Sequence, residues 1–119
     1  TVSSADSTRY LTLVIDQLGN ELSALQPNRF SLHQNYPNPF NPVTTITFEL
    51  AKSELVSLNI YGVNGNLIRN LINSKKAQGR YNVSWNGVNN AKENVAGGVY
   101  FYRIDTESYS STKKMILLK

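Results

Sequence analysis

The chain has 119 residues, a length typical of one domain with a single hydrophobic core. It contains no cysteine, which excludes disulfide bonds and thiol chemistry. Its formal net charge of +4 comes from scattered residues, with only Lys75-Lys76 and Lys113-Lys114 adjacent, so the charge indicates solubility rather than nucleic-acid binding. No apolar run reaches the roughly 18 residues that a membrane span needs, so we expect no direct membrane insertion.

The first 28 residues fit two templates. Apolar residues in "YLTLVIDQLGNELSAL" recur at helical spacing, but they also fit a strand followed by a turn at Leu18-Gly19-Asn20. Glycine inside a helix costs about 1 kcal/mol, and Thr12, Val14 and Ile15 are β-branched. These residues favour the strand and hairpin. The chain has no initiator Met and no signal-peptide pattern, so we expect it to be part of a longer protein.

The stretch "NYPNPFNP" places three prolines within six positions. Proline cannot donate to a strand ladder and disfavours helix at the residue before it, so the stretch predicts an irregular, rigid corner between two strands. The asparagines can cap turns through their side chains, and we expect the aromatic residues to plug the open end of the fold. The corner consists of Tyr36, Pro37, Pro39, Phe40 and Pro42, with Asn35, Asn38 and Asn41 as the capping residues.

Regular strand patterns follow the corner. "VTTITFEL" and "LVSLNIYG" alternate with a period of two, which predicts strands with one buried face. The inward residues are Ile46, Phe48 and Leu50 in the first strand, and Val56, Leu58 and Ile60 in the second. Asn64-Gly65 then predicts a tight hairpin turn with two positive φ angles, and "LIRNLI" is the returning strand.

Three further strands complete the pattern: "RYNVSW", "GVYFYRID" and "STKKMILLK". The first two align aromatic and apolar residues on one side, namely Tyr81, Val83, Trp85, Tyr100, Tyr102 and Ile104. With "FSLHQNY" at the start, about seven short strands are separated by Gly, Asn and Ser loops. This spacing predicts an all-β fold, an immunoglobulin-like β-sandwich of about seven antiparallel strands.

Catalytic signatures are weak throughout the sequence. His33 is the only histidine and has no nucleophile nearby in a recognisable pattern. Asp105 and Glu107 lie at the end of a strand and in the following turn, a common solvated arrangement. Trp85 and the tyrosines could form a sugar-binding platform, but their phase with Val83 and Ile104 favours core packing. We therefore predict no catalytic residue and no cofactor.

Five blocks resemble a known family in their order and spacing: "NYPNPFNPVTTITFEL", "VSLNIYGVNGNLIRNLI", "GRYNVSWNG", "VAGGVYFYRI" and "KKMILLK". Together they are similar to the C-terminal sorting domain (type A) of type IX secretion cargo. The middle blocks are also similar to the immunoglobulin-like domain of flagellar hook-capping proteins. The proline-rich opening and the terminal block favour the sorting domain.

The resemblance implies a non-enzymatic signal that sends an attached protein through the periplasm to the cell surface or the medium. Implied partners are outer-membrane type IX components, a sortase-like peptidase and an upstream cargo domain in the same chain. Residues 1–28 would be the cargo tail and linker, with any cut near "QPN", and residues 29–119 the sorting domain.

Family members usually carry acidic residues after the tryptophan, where this chain has Asn86 and Asn89 and keeps only Glu93. We therefore predict no calcium or other metal site.

The last strand has apolar residues on both faces. Alternation buries Met115 and Leu117 and leaves Ile116 and Leu118 pointing outward, at what could be a sheet edge. Such an edge can add a strand to a receptor sheet. An alternative is that the strand is interior or covered by the N-terminal segment. We hypothesise that the translocon reads the terminal residues Lys113, Lys114, Met115, Ile116, Leu117, Leu118 and Lys119.

Two other functions fit the sequence. A carbohydrate-binding module of a secreted hydrolase would need Trp85 and the tyrosines exposed and coplanar. A scaffold module of the hook-capping kind would self-assemble, and its export would not depend on the last residues.

Overall fold

The computed structural model describes residues 27–119, and the strand and hairpin predicted within the first 26 residues lie outside this range. Seven strands form in it. They are β1 (Ser31–Leu32), β2 (Thr44–Leu50), β3 (Glu54–Gly62), β4 (Leu67–Lys76), β5 (Gly79–Trp85), β6 (Gly98–Asp105) and β7 (Ser110–Leu117). Within the described part of the chain, no helix has the length and apolar character that crossing a bilayer requires.

The strands form two sheets that pack face to face. One sheet has the order β1-β2-β5 and the other β4-β3-β6-β7, and all neighbouring pairs are antiparallel. Non-consecutive neighbours such as β2 with β5, and β3 with β6, require connections that cross between the sheets. This arrangement confirms the predicted all-β sandwich.

The core lies between the two sheets and contains the residues that alternation predicted to face inward. Ile46, Phe48 and Leu50 of β2 are completely buried against Val56, Leu58 and Ile60 of β3. Trp85, Tyr100, Tyr102, Ile104, Met115 and Leu117 are buried too, whereas Tyr81 and Val83 are half-buried at its margin. The period-two patterns therefore identified the inner face of every long strand except β4, which has two register irregularities opposite β3.

The hairpin between β3 and β4 forms where Asn64-Gly65 predicted it, but the turn differs from the prediction. The Gly62 amide donates to Asn66 O at 2.9 Å, and the Gly65 amide donates to Gly62 O at 3.0 Å. Gly65 has φ +86°, while Asn64 has no positive φ. The loop is therefore the three-residue kind in which a single glycine takes the left-handed conformation.

The corner between β1 and β2 is irregular, as predicted, and all three X-Pro peptide bonds in it are cis. Phe40 is 1% exposed and packs on Trp85 with ring centroids 5.7 Å apart, so it plugs the end of the sandwich. The same expectation for Tyr36 is wrong, because its side chain is 81% exposed. Its backbone instead pairs with Thr45 in an isolated antiparallel bridge, which turns the ring away from the core.

The two ends of the sandwich differ in which parts of the chain they hold. At one end, here called the linker end, Gln78 Nε2 donates to Pro27 O at 2.7 Å and Phe30 stacks on Tyr109. At the other, the terminal end, β7 finishes beside Phe40 and the β3–β4 turn. Strands of seven to ten residues separate the two ends, a distance of about 20–30 Å.

Candidate functional site

The C-terminal strand lies at the edge of the four-stranded sheet, with β6 as its single strand neighbour. Met115 and Leu117 are buried in the core, Lys114 is exposed and Ile116 is half-buried on the opposite side. Leu118 is 49% exposed immediately after the strand. The alternation predicted for this segment is therefore confirmed, and so is its position at a sheet edge.

The backbone edge of the same segment is occupied by the proline-rich corner. The Phe40 amide donates to Ile116 O at 3.0 Å, and the Leu118 amide donates to Phe40 O at 2.8 Å. The Ile116 amide donates to Asn38 Oδ1 at 3.0 Å, and Gln34 Nε2 donates to Lys114 O at 2.7 Å. A receptor strand could not pair with residues 114–118 unless it displaced these groups. The expectation of a free edge there is wrong.

Two asparagines of the corner therefore have different tasks. Asn35 Nδ2 donates to Pro37 O at 3.2 Å and to Thr44 Oγ1 at 2.9 Å, as expected of a residue that caps a turn. Asn38 was predicted to cap a turn as well, but its side chain accepts from the amide of β7. The difference follows from position, because Asn35 lies near Pro37 and Thr44, whereas Asn38 lies beside β7, where the Ile116 amide needs an acceptor.

Tyr102 joins the corner to the core. Its hydroxyl donates to His33 O at 2.7 Å and accepts from the Asn35 amide at 2.8 Å. Burial raises the pKa of Tyr102 to about 12. The sequence places Tyr102 on the inner face, but the partners of its hydroxyl lie almost seventy positions earlier in the chain, and no local pattern identifies them.

Sequence reasoning also missed the outward residues next to the terminal segment. On the outer face of the four-stranded sheet, Tyr61 lies opposite Phe101, Phe101 lies opposite Lys114, and Val99 lies opposite Ile116. We call the apolar members of this group the terminal patch: Tyr61, Val99, Phe101, Ile116 and Leu118. Apolar residues at outward positions of "GVYFYRID" were the signal that could have identified it.

His33 lies beside a serine and a carboxylate, but the arrangement is not that of a hydrolase. Ser31 Oγ donates to Glu49 Oε1 at 2.7 Å, and His33 Nε2 is 3.3 Å from Ser31 Oγ and 3.6 Å from Glu49 Oε1. In a catalytic triad the two partners bind different ring nitrogens, and the serine proton goes to the histidine. Here one nitrogen faces both groups. The hydrogen bond from Ser31 and the contact with Arg80 lower the pKa of Glu49.

Polar atoms of the loop after Trp85 bond within the loop and to β4, where the Asn70 amide donates to Asn90 Oδ1 at 3.0 Å. Asn89 Oδ1 accepts from the amides of Ala91 at 2.9 Å and Glu93 at 3.0 Å, and Asn89 Nδ2 donates to Glu93 Oε1 at 3.2 Å. Among residues 27–119, no group of three or more His, Asp or Glu side chains is arranged to hold a metal ion.

The aromatic residues do not form an exposed platform. Trp85 is 1% exposed, and its indole Nε1 donates to Val88 O at 2.8 Å. Its ring meets Tyr100 edge-on, with an interplanar angle of 70°. The coplanar exposed surface that a carbohydrate-binding module would need is therefore not made by these rings.

A buried carboxylate, which the sequence did not single out, holds the linker end together. Glu54 accepts from the Ser108 amide at 3.1 Å and from the Ser108 hydroxyl, and Lys52 Nζ lies 3.6 Å away. Hydrogen bonds from Ser108 are the main reason that the pKa of Glu54 is lowered to about 2. This group fastens the start of β3 to the β6–β7 turn.

Fold and geometry define a β-sandwich domain of the immunoglobulin type. Its sequence matches the family described as "Secretion system C-terminal sorting domain" over residues 34–118. The chain belongs to this family, and its function is that of a C-terminal secretion signal. The resemblance to the type IX sorting domain is thereby confirmed.

Two solved structures share the fold. Latent PorU from Porphyromonas gingivalis superposes with a TM-score of 0.61 and 18% identity, covering 76% of this chain and 9% of PorU. PorZ is described as a surface component of the type-IX secretion system of the same organism. It superposes with a TM-score of 0.51 and 21% identity, covering 82% of this chain and 12% of PorZ. The match is thus to a small part of each. No curated protein has a significantly similar sequence.

Proposed function

We propose that this domain is recognised by outer-membrane components of a type IX secretion system through the terminal segment, residues 113–119. The observation that supports this most is the way the segment is held. The corner pins its backbone, two of its side chains anchor it in the core, and its other side chains are left available. A partner would then contact side chains of a fixed strand and would not pair with its backbone.

The readable residues within the segment are those that face outward. Lys114, Leu118 and Lys119 are exposed and Ile116 is half-buried, whereas Met115 and Leu117 serve the core. Lys113 shares the inner phase and is half-buried beside β6. We therefore assign Met115 and Leu117 to anchoring the segment, and the outward residues to direct contact with the translocon.

The chain is further proposed to join an upstream exported domain to the sorting domain, with residues 1–28 as tail and linker. Asn28 and Arg29 are exposed at the linker end, just before Phe30 packs on Tyr109. Such an exposed stretch is accessible to a peptidase. A sortase-like peptidase would cut there after the protein has passed through the periplasm and crossed the outer membrane.

The test is to attach the full chain to a reporter and measure its export in a bacterium with a working type IX apparatus. Removal of residues 113–119 should abolish export, and so should loss of the apparatus. Because the truncation also removes two core residues, a second variant with Leu118→Asp and Lys119→Glu keeps the core and should reduce export strongly. Unchanged export of both variants would contradict the proposal.

A further inference from the structure

The terminal patch is confined to one end of one sheet face. Its five residues lie within two neighbouring rows of the outer face or directly after β7. The next two rows towards the linker end are polar, with Asn59, Arg103 and Thr112 in one and Ser57, Asp105 and Ser110 in the other, and they separate the patch from the exposed Leu55. A compact apolar area with a polar surround is the pattern of a protein contact site.

The outer face of the other sheet provides an internal contrast. Its side chains are polar and bond to one another, as in Thr47 Oγ1 to Asn82 Oδ1 at 2.6 Å and Arg80 Nη1 to Glu49 Oε2 at 2.9 Å. These groups are satisfied without a partner. The terminal patch instead presents aromatic and aliphatic side chains to solvent. A partner that covered it would bury apolar surface, which the polar face does not offer.

Charge around the terminal patch is positive. Lys114 lies directly opposite Phe101, and Lys119 lies over Gly97 at the end of β7. Within residues 27–119, neither lysine takes part in a salt bridge, and the one acidic residue on this sheet face, Asp105, is bonded to Arg103 at 2.9 Å. The complement of this surface is an apolar face that carries carboxylates at its rim.

A groove extends the terminal patch towards the β3–β4 turn. It has a volume of about 310 Å³ and is lined by Val63, Asn64, Ile68, Gly97, Val99 and Tyr100. Val99 belongs both to the groove and to the patch. A side chain projecting from a docked surface could enter the groove, which would fix the register of docking.

We propose that the terminal patch is a docking surface for a partner protein with an apolar face rimmed by Asp or Glu carboxylates. The proposal rests on the proposed secretion function and extends it to residues outside the terminal segment. Val99 and Phe101 lie opposite Ile116 and Lys114, and Tyr61 lies opposite Phe101 on β3. The patch lies at the end opposite the linker. An exported domain attached through Pro27 therefore leaves it accessible.

The experiment uses the full chain on the reporter, with Phe101→Glu as the test variant and Ser84→Glu as the matched control. Both positions lie on outer faces, but Ser84 is on the polar sheet. Central aromatic residues often carry much of the binding free energy of an interface, so export of Phe101→Glu should fall about tenfold or more. Ser84→Glu should be exported like the unmodified chain.

Tyr61→Glu is a second test variant, in case Phe101→Glu unfolds, and Trp85 fluorescence during thermal unfolding verifies the fold of each variant. If truncation of residues 113–119 blocks export while folded Phe101→Glu or Tyr61→Glu is exported normally, the docking surface is wrong and the proposed function stands. If the chain without residues 113–119 is also exported normally, the docking surface and the proposed function are both wrong. Self-association of the chain in sedimentation, lost in Phe101→Glu, would assign the patch to a second copy and overturn the proposal.

Discussion

At the scale of single residues, two buried polar groups connect distant parts of the chain. Tyr102 holds the backbone of His33 and Asn35 through one hydroxyl, and Glu54 holds Ser108 through its carboxylate. A buried polar group without a partner destabilises a fold, so each bond specifies one arrangement of the elements that it joins. Neither group resembles a catalytic residue, because both are fully engaged in structural bonds.

Glu54 should make the stability of the domain depend on pH. Its pKa is about 2 in the folded state against an ordinary value of 4.5, and a lowered pKa stabilises the fold above the ordinary value and ceases to do so as pH falls towards the lowered one. We expect the thermal midpoint to fall between about pH 5 and pH 2.

The Glu54→Gln variant should be less stable at neutral pH and show a flatter dependence over the same window. Ser108→Ala, which removes a donor to the carboxylate, should shift the profile in the same direction. Thermal unfolding monitored by Trp85 fluorescence measures both. Glu49, whose pKa is also lowered, contributes to the remaining slope. A Glu54→Gln profile that matches the unmodified chain would refute this role.

At the scale of elements, the corner and β7 form one unit although about seventy residues separate them. Phe40 fills the core next to Trp85 while its backbone pairs with the end of β7 in a parallel bridge. The corner therefore protects an edge that would otherwise be open to pairing with other chains. This covering role of the proline-rich stretch is not evident from the residues around it in the sequence.

Replacing Asn38 with alanine should loosen this unit without unfolding the domain. The Ile116 amide would lose its acceptor at a solvent-exposed edge, which should cost about 0.5–1.5 kcal/mol. Hydrogen exchange of the Ile116 amide should accelerate, whereas amides of β2 should keep their protection. Asn73→Ala, on the exposed part of β4, is the matched control. Unchanged exchange at Ile116 would show that Asn38 does not hold β7.

At the scale of the whole molecule, the two ends of the sandwich hold different parts of the chain. The chain enters at the linker end, and the terminal segment, the terminal patch and the groove lie at the other end. Under the proposed function, the sandwich between the two ends would keep an exported domain attached at the linker end away from the terminal patch. This difference between the two ends arises from the packing of both sheets and not from a single strand.

Short Gly-Ser insertions test whether the two ends of the sandwich differ in their importance for export. An insertion between Ala77 and Gln78, at the linker end, should leave export of a reporter unchanged. The same insertion after Asn64, in the turn that lines the groove, should impair it. Both sites are exposed loops of a hairpin or strand connection, so both variants should fold, as thermal unfolding can verify. Equal export of the two would argue against a functional terminal end.

Much of the fold and part of the site were predictable from sequence. Period-two alternation identified the inner residues of β2, β3, β6 and β7, since a strand with one buried face must alternate. The Asn64-Gly65 pair marked the hairpin, although not its turn type. Tyr36 was misjudged because an aromatic residue in a proline-rich corner can face either way, and local sequence does not decide which.

The amino-acid sequence by itself determined the strands, the inner face of most of them, the irregular corner and the family of sorting signals. Only the tertiary structure decided that the corner covers the edge of β7, that Tyr102 and Glu54 tie remote segments together, and that Val99 and Phe101 lie opposite Ile116 and Lys114. The physical reason is that alternation and turn chemistry act between near neighbours in the chain. Strand order and edge pairing depend on contacts between residues that only packing brings together.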